Sequence, residues 1–267
     1  MTCVDKPASA WLNILKAQLA AWNNKPALRY VYTDWFKEIA AYLSPGISVE
    51  IGCGIGQMKS VIPDMYSIDI VQTPWTDIVG DAHQLAVKNK SISNMILFDV
   101  LHHLPYPLTF LSDAFRALRT GGRLIIVDPY ISPFSGLVYG CFHPEPFSMK
   151  HNPFRAISPL CSIDPLASNQ AIATLLFYRH RKEFQKQFSD VQLIMQKRFA
   201  FFAYPATGGF GSPRLIPDKL ISVLHRIEPF FKPLSAMLAF RLMVVLEKCQ
   251  DAPISGEPSA SVHYLKN

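Results

Sequence analysis

The stretch V-E-I-G-C-G-I-G-Q at residues 49–57 constrains this chain more than any other. An apolar run ending in a carboxylate reads as a strand, and glycine at every second position after it reads as a loop. Glycine lets the backbone turn tightly and approach a ligand more closely than any side chain would permit. A second apolar run, Y-S-I-D-I at residues 66–70, places Asp69 seventeen residues after Gly52. That is the separation at which nucleotide-binding α/β sheets carry an acceptor for ribose hydroxyls.

Loop spacing separates two kinds of sheet. The dinucleotide fingerprint G-x-G-x-x-G needs glycine at position 57, and this chain has Gln57 there, with its third glycine one residue early at Gly56. A nicotinamide-dependent reductase would need this glycine loop rebuilt. With Glu50 the loop becomes E-x-G-x-G-x-G. It is followed in register by G-D-A at 80–82, F-D-V-L-H-H-L at 98–104 and R-T-G-G-R-L-I-I-V-D-P at 119–129. Together these make residues 46–130 resemble the methyltransferase-11-type domain of class I S-adenosylmethionine-dependent methyltransferases.

The resemblance implies a Rossmann-like α/β fold: a mostly parallel seven-stranded sheet with an antiparallel last strand, here with an inserted cap. It implies S-adenosyl-L-methionine as cofactor and a set of residues to hold it. Gly52, Cys53, Gly54, Gly56 and Gln57 would pass beneath the methionine portion, with Glu50 near its ammonium. Asp69, next to Ile70, would take the ribose hydroxyls. Asp81 would accept from the adenine amine while Ala82 donates its backbone N–H, and Phe98 and Asp99 would end a strand beside the sulfonium. An ordinary strand-to-helix turn and a surface aspartate are the plain alternatives for the glycines and Asp69. The V-L-H-H-L run resembles one that the family carries whatever its acceptor, so a wall role is expected for His102 and His103, with His103 kept as a catalytic candidate.

Composition agrees with an enzyme of one domain plus decoration: 267 residues, 49% hydrophobic and 17% charged. The net charge of +6 is scattered, apart from R-H-R-K at 179–182 with Lys186, and Lys197 with Arg198. These suit a solvated face, an anionic substrate or a membrane surface; no nucleic-acid partner is expected. Five cysteines, at 3, 53, 141, 161 and 249, form no C-x-x-C pair, which predicts reduced thiols and no metal site. No signal-peptide core follows Asp5 and Lys6, so a cytoplasmic location is expected.

Along the chain, residues 1–45 are expected to form a helical cap with helices at 8–22 and 27–43, the first showing Trp11, Leu12, Leu15 and Leu19 at helical spacing. The methyltransferase domain then spans 46–249, with strands at 47–51, 66–70, 77–80, 94–98 and 123–128. A helix at 107–119 would present Leu108, Leu111, Phe115 and Leu118, with Gly121 as its C-terminal cap. Residues 71–76 are too few for a crossover helix, so a loop with Pro74 and Trp75 packing over it is expected there. After Asp128 comes an insertion, 131–187, ending in a helix at 168–187. A strand at 190–198 pairing antiparallel with 239–247 would reproduce the last two strands of the sheet that the resemblance implies. Pro217 and Asp218 open a helix with the face Leu220, Val223, Leu224 and Ile227. The tail 250–267, rich in Ser, Pro and Ala, is expected to be disordered.

Methyl transfer to a hydroxyl needs a base. His143 and Glu145 alternate with Pro144 and Pro146 in C-F-H-P-E-P-F, where fixed φ angles limit the entropy lost on binding. His143 is the first candidate base, with Glu145 orienting it or a substrate hydroxyl; a capped turn is the alternative. The segment F-F-A-Y-P-A-T-G-G-F at 201–210 suits a lid or acceptor wall, or a loop buried on the N-terminal helices. Aromatics concentrated in 131–187 and 199–235 point to a small or partly apolar acceptor, lipid- or glycan-linked acceptors included, held between these segments. Peripheral contact with the inner membrane is the most the sequence permits, because its best apolar run is short and contains Arg241. A catalytically inactive S-adenosylmethionine-binding partner subunit would carry the same core motifs.

Overall fold

The computed structural model describes residues 8–142, 145–155 and 168–249, with side chains from Leu12 onward. The expected tail, Cys3, Cys161, the side chain of Trp11 and His143 fall outside these residues.

Two helices, α1 (Ala8–Asn24) and α2 (Pro26–Ala41), precede the sheet; Pro26 begins α2, where a missing N–H costs nothing. The strands follow as β1 (Ser48–Ile51), β2 (Tyr66–Asp69), β3 (Ile78–Val79), β4 (Ile92–Phe98), β5 (Leu118–Pro129), β6 (Val191–Phe199) and β7 (Arg241–Lys248). They form one sheet in the order β3-β2-β1-β4-β5-β7-β6. Neighbours from β3 through β5 run parallel, while β7 runs antiparallel to both β5 and β6. The order reverses at β1 and β4, and ligands of such sheets bind at the carboxyl ends beside that switch point.

Both faces of the central strands are apolar, as burial on two sides requires. Met95, Leu97, Leu124, Ile126, Leu242, Val244 and Leu246 face one core with Phe110, Leu111 and Phe115 of α3 (Pro107–Ala117). That core also takes Ile172 of α5 (Ile172–Thr174), the π-turn Leu175–Arg179 and Phe184 of α6 (Arg181–Gln187). The alternate residues Ile96, Ile125, Val127, Met243 and Val245 face a second core built on Leu28, Val31, Tyr32, Trp35, Phe36 and Ile39 of α2. Each such side chain contributes about 1.5–3 kcal/mol on burial, so α2 is bound into the sheet's own core. By contrast α1 is mostly exposed: Leu15 and Leu19 are half-buried and Leu12 is exposed.

The structure corrects three expectations. Gly121 does not cap α3: Leu118 leaves the helix in extended conformation and pairs with Ile92, and Gly121, at φ +71°, lies inside β5 where the register to β4 shifts. The helix expected at 168–187 begins only at Ile172 and is broken by the π-turn and His180. In α8 (Asp218–Ile227) the apolar face found in the sequence points outward. Leu220, Val223 and Ile227 are exposed, Leu224 is half-buried, and Ile221 is the fully buried residue of the helix. Helical spacing finds an apolar stripe but not which side a partner occupies. As expected, the β2–β3 crossover is a loop, and Tyr66, Ile78 and Val79 at that edge are exposed. Cys53, Cys141 and Cys249 are free thiols.

Candidate active site

Gly52, Gly54 and Gly56 have φ of +74°, +53° and +67°, a region side chains rarely adopt. Space constrains two of them further. A Cβ on Gly52 would lie 2.5 Å from Val100 Cγ2, and one on Gly56 would lie 2.6 Å from Trp75 Cβ, so the loop is pressed between these side chains. The position above Gly54 is open, its nearest neighbours being Gln18 and Leu15 of α1 at 3.9 and 4.0 Å. Gln57 begins a 3₁₀ turn, Gln57–Ser60. Cys53 is buried near Thr76 Oγ1 at 3.7 Å, and burial with the Asp69 charge pushes its thiol up to about 12, so it fills space without reacting.

Asp69 ties this loop to the next. Its Oδ2 accepts the Gly54 N–H at 3.0 Å and its Oδ1 accepts the Val71 N–H at 3.0 Å, which fixes the carboxylate at the end of β2, beside the exposed Ile70. Glu50 is 4% exposed, and its Oε2 has no partner. Burial pushes its carboxyl up to about 8, with Lys59 opposing and Asp69 adding to the rise. Asp81 follows β3, where its Oδ1 accepts the His83 N–H at 2.8 Å and meets His83 Nδ1 at 3.0 Å. Ala82 packs against the first core.

The other half of the site stands at the ends of β4 and β5, adjacent to β1 because Ile51 pairs with Leu97 and Phe98 with Val127. Phe98 joins Tyr32, Trp35 and Phe36 of α2, with ring centroids 5.3–6.2 Å apart. Asp99 has φ +58° and pairs with Arg241, which is buried at the start of β7. Arg241 in turn donates to the Tyr204 hydroxyl at 2.6 Å and lies 4.6 Å from that ring's centroid. Backbone strain in a non-glycine residue persists where its surroundings hold it, and here the ion pair does so.

A 3₁₀ turn, Leu101–His103, then carries His102 inward, where its Nδ1 lies 2.9 Å from Asp128 Oδ1 and its Nε2 lies 3.4 Å from Glu145 Oε2. Burial alone would lower the imidazole's pKa, but Asp128 and Glu145 outweigh it and raise it to about 9. Three groups thus share a proton that stays bound past neutral pH. Gln170 Nε2 reaches Glu145 Oε2 at 3.2 Å, and the His103 ring packs on His102 at 4.1 Å.

The structure therefore brings Glu145 to His102, a residue expected only as a wall, and sets His103 beside it. The signal for Asp128 lay in the acid ending I-I-V-D at 125–128; its pairing with His102 could not be read from two motifs separated in the chain. Segment 201–210 packs on α2: Tyr204 and Phe210 both contact Tyr32, while Phe201 is buried. A groove of about 740 Å³ lies between the insertion and the 199–235 segment, lined by Trp35, Tyr178, Arg181, Arg198, Phe199 and Lys232 among others. None of Glu50, Asp99, His102 or Glu145 lines it.

An orphaned buried carboxylate, a loop open above Gly54 and an acid fixed by two backbone N–H groups fit an elongated ligand with a cationic amine and a diol. The family model described as "Methyltransferase domain" matches residues 26–168, more than half of the chain and starting where α2 starts. The chain belongs to this methyltransferase family. Its cofactor is S-adenosylmethionine, and the sheet order, with β7 antiparallel, is that of the family's Rossmann-like fold. No curated protein matches the sequence. A SAM-dependent methyltransferase from Archaeoglobus fulgidus is 15% identical, with 82% of this chain and 94% of that chain aligned at a TM-score of 0.51. A possible histamine N-methyltransferase from Thermotoga maritima is 13% identical over 88% and 98% of the two chains, at a TM-score of 0.49. At 15% identity the similarity to the Archaeoglobus protein is one of fold.

Proposed function

We propose that this methyltransferase moves the methyl group of S-adenosylmethionine to a hydroxyl of a small, partly apolar acceptor, with Glu145 receiving the proton. The observation that carries the reading is the Asp128–His102–Glu145 series at the carboxyl edge of the sheet, beside the glycine loop. In this reading Glu50 faces the cofactor's ammonium, Asp69 its ribose, Asp81 and Ala82 its adenine, and Asp99 its sulfonium side. When bound, the cofactor supplies an electrophilic methyl on positively charged sulfur.

The remaining chemistry belongs to the chain's own residues. A hydroxyl oxygen that acquires a methyl group becomes strongly acidic, so a carboxylate is basic enough to take its proton as the bond forms. Glu145 is partly exposed, whereas Asp128 is fully buried and His102 nearly so, which makes Glu145 the member of the series open to an acceptor. His102, protonated at neutral pH and anchored by Asp128, holds Glu145 in place and keeps two nearby carboxylates from repelling each other. Phe98, Tyr32, Trp35 and Tyr204 supply an apolar wall next to Asp99. The groove, which α2 and β6 also line, mixes aromatic, cationic and acidic groups, Asp34, Glu38 and Glu228 among them, and would take the remote part of a lipid- or glycan-linked acceptor.

The test is transfer of labelled methyl from S-adenosylmethionine into lipid and glycan extracts, followed by alkaline hydrolysis of the product. An alkali-stable methyl ether is expected, and Glu145→Gln should lower turnover by roughly 10²–10⁴-fold with cofactor affinity nearly unchanged. A methyl ester, an N-methyl product or an unaltered rate in the Gln variant would overturn the reading.

A further inference from the structure

Six large apolar side chains stand exposed along three successive helical segments, α8, a 3₁₀ turn (Glu228–Leu234) and α9 (Ser235–Leu238). They are Leu220, Val223, Ile227, Phe230, Leu234 and Met237, separated by three and four residues in strict alternation. Phe230 is 82% exposed and Met237 57%. The inner side of the run is already committed to the fold. Ile221 is fully buried, His225 Nε2 meets Asp34 of α2 at 2.9 Å, and Glu228 Oε1 accepts the N–H groups of residues 201–203 at 2.8–3.0 Å. The outer stripe is therefore apolar surface the core does not use. Beside it, α4 (Pro133–Phe142) packs against α9, has no charged residue and also exposes Leu137 and Phe142. A surface of this extent marks a site of association.

Charge decides what covers it. The exposed charged residues of the run are Lys219, Arg226 and Lys232, all cationic; Asp218 is half-buried and paired with Arg214, and Glu228 is buried. A second copy related by a two-fold axis would set against itself a face whose exposed charges are all cationic, with no acid to pair them. Pro229 and Pro233, with the 3₁₀ turn, also interrupt the helix, so the stripe cannot form the straight seam of a coiled coil. We propose that this face docks on an anionic membrane surface, its apolar stripe entering the acyl boundary while Lys219 and Arg226, which flank it, meet lipid phosphates; Lys232 lines the inner groove instead. Among the described residues no helix is long and apolar enough to cross a membrane, so attachment is shallow and reversible. Because α4 leaves the carboxyl end of β5 close to Asp128, docking would turn the acceptor side of the site toward the lipid.

The inference rests on this surface and not on the chemistry of the acceptor, so a failed transfer assay would leave it standing. Flotation of the full-length protein is compared on vesicles of phosphatidylcholine with phosphatidylglycerol and of phosphatidylcholine alone, alongside sedimentation without lipid. The protein should float with the mixed vesicles and be released by salt. F230S/M237S should lower the bound fraction roughly tenfold, and K219E/R226E should abolish salt-sensitive binding. Both should keep the wild-type melting temperature, since every substituted side chain is exposed. No flotation on anionic vesicles, flotation indifferent to both variants, or a lipid-free dimer that F230S/M237S converts to monomer would overturn the proposal.

Discussion

Replacing Glu50 by Gln separates the stability of the fold from the affinity for its cofactor. The carboxyl lies among Val49, Ile51 and the glycine loop with one oxygen unpartnered, and its pKa is pushed from 4.5 to about 8. Below pH 4.5 it is protonated in the folded and unfolded chain alike and its titration costs nothing. Between 4.5 and 8 the unfolded chain releases the proton while the fold retains it, so stability falls by about 1.4 kcal/mol for each pH unit. The ceiling on the loss, reached above pH 8, is about 5 kcal/mol. Gln has the same shape and no charge, so Glu50→Gln should stabilise the cofactor-free protein at pH 8 by about 2–5 kcal/mol. Its melting temperature should become nearly independent of pH from 5 to 6.5.

Binding should move the opposite way. An ammonium beside Glu50 draws its proton off, so wild-type protein at pH 7 should release protons on binding S-adenosylmethionine, measured by titration calorimetry in buffers of different ionisation enthalpy. Glu50→Gln should lose that release and weaken binding by about 1–3 kcal/mol. A variant that is no more stable at pH 8, or that binds as tightly as wild type, would refute the argument that the carboxylate waits buried for a cation.

His102→Gln should remove a second pH dependence. Because the folded pKa, about 9, exceeds the ordinary 6.5, the pair with Asp128 and Glu145 stabilises fully below pH 6.5. That contribution, about 3 kcal/mol at most, is lost as pH rises to 9. Burial lowers the His225 pKa, but Glu228 and Asp34 outweigh it and raise that group too. The reading is therefore the difference between melting curves with and without His102→Gln in the Glu50→Gln background, and an unchanged slope from 6.5 to 9 would contradict it. Glu228→Ala strands three N–H groups at the start of α7 (Ala203–Ala206) and should cost about 2–4 kcal/mol in denaturant unfolding, with faster hydrogen exchange at residues 201–203.

The sequence by itself determined the scaffold. Alternating strands and helices, the glycine loop and the acids at Glu50, Asp69, Asp81 and Asp99 are local signals, because a turn, a strand end and a helical stripe depend on neighbours within a few residues. The antiparallel return of β6 against β7 followed only from the resemblance to the class I sheet, because strands some fifty residues apart carry no local signal of which way they pair. Only the tertiary structure decided which polar groups meet. Asp128 and His102 lie 26 residues apart, and Glu145 comes from the insertion, so their contact depends on how β5 packs against the turn after β4. The same holds for Asp99 with Arg241, brought together because β7 inserts antiparallel beside β5. It holds too for the stripe from Leu220 to Met237, whose apolar period is written in the sequence. Whether that period faces a core or the outside depends on which side of α8 reaches α2 first, and Ile221 and His225 occupy that side.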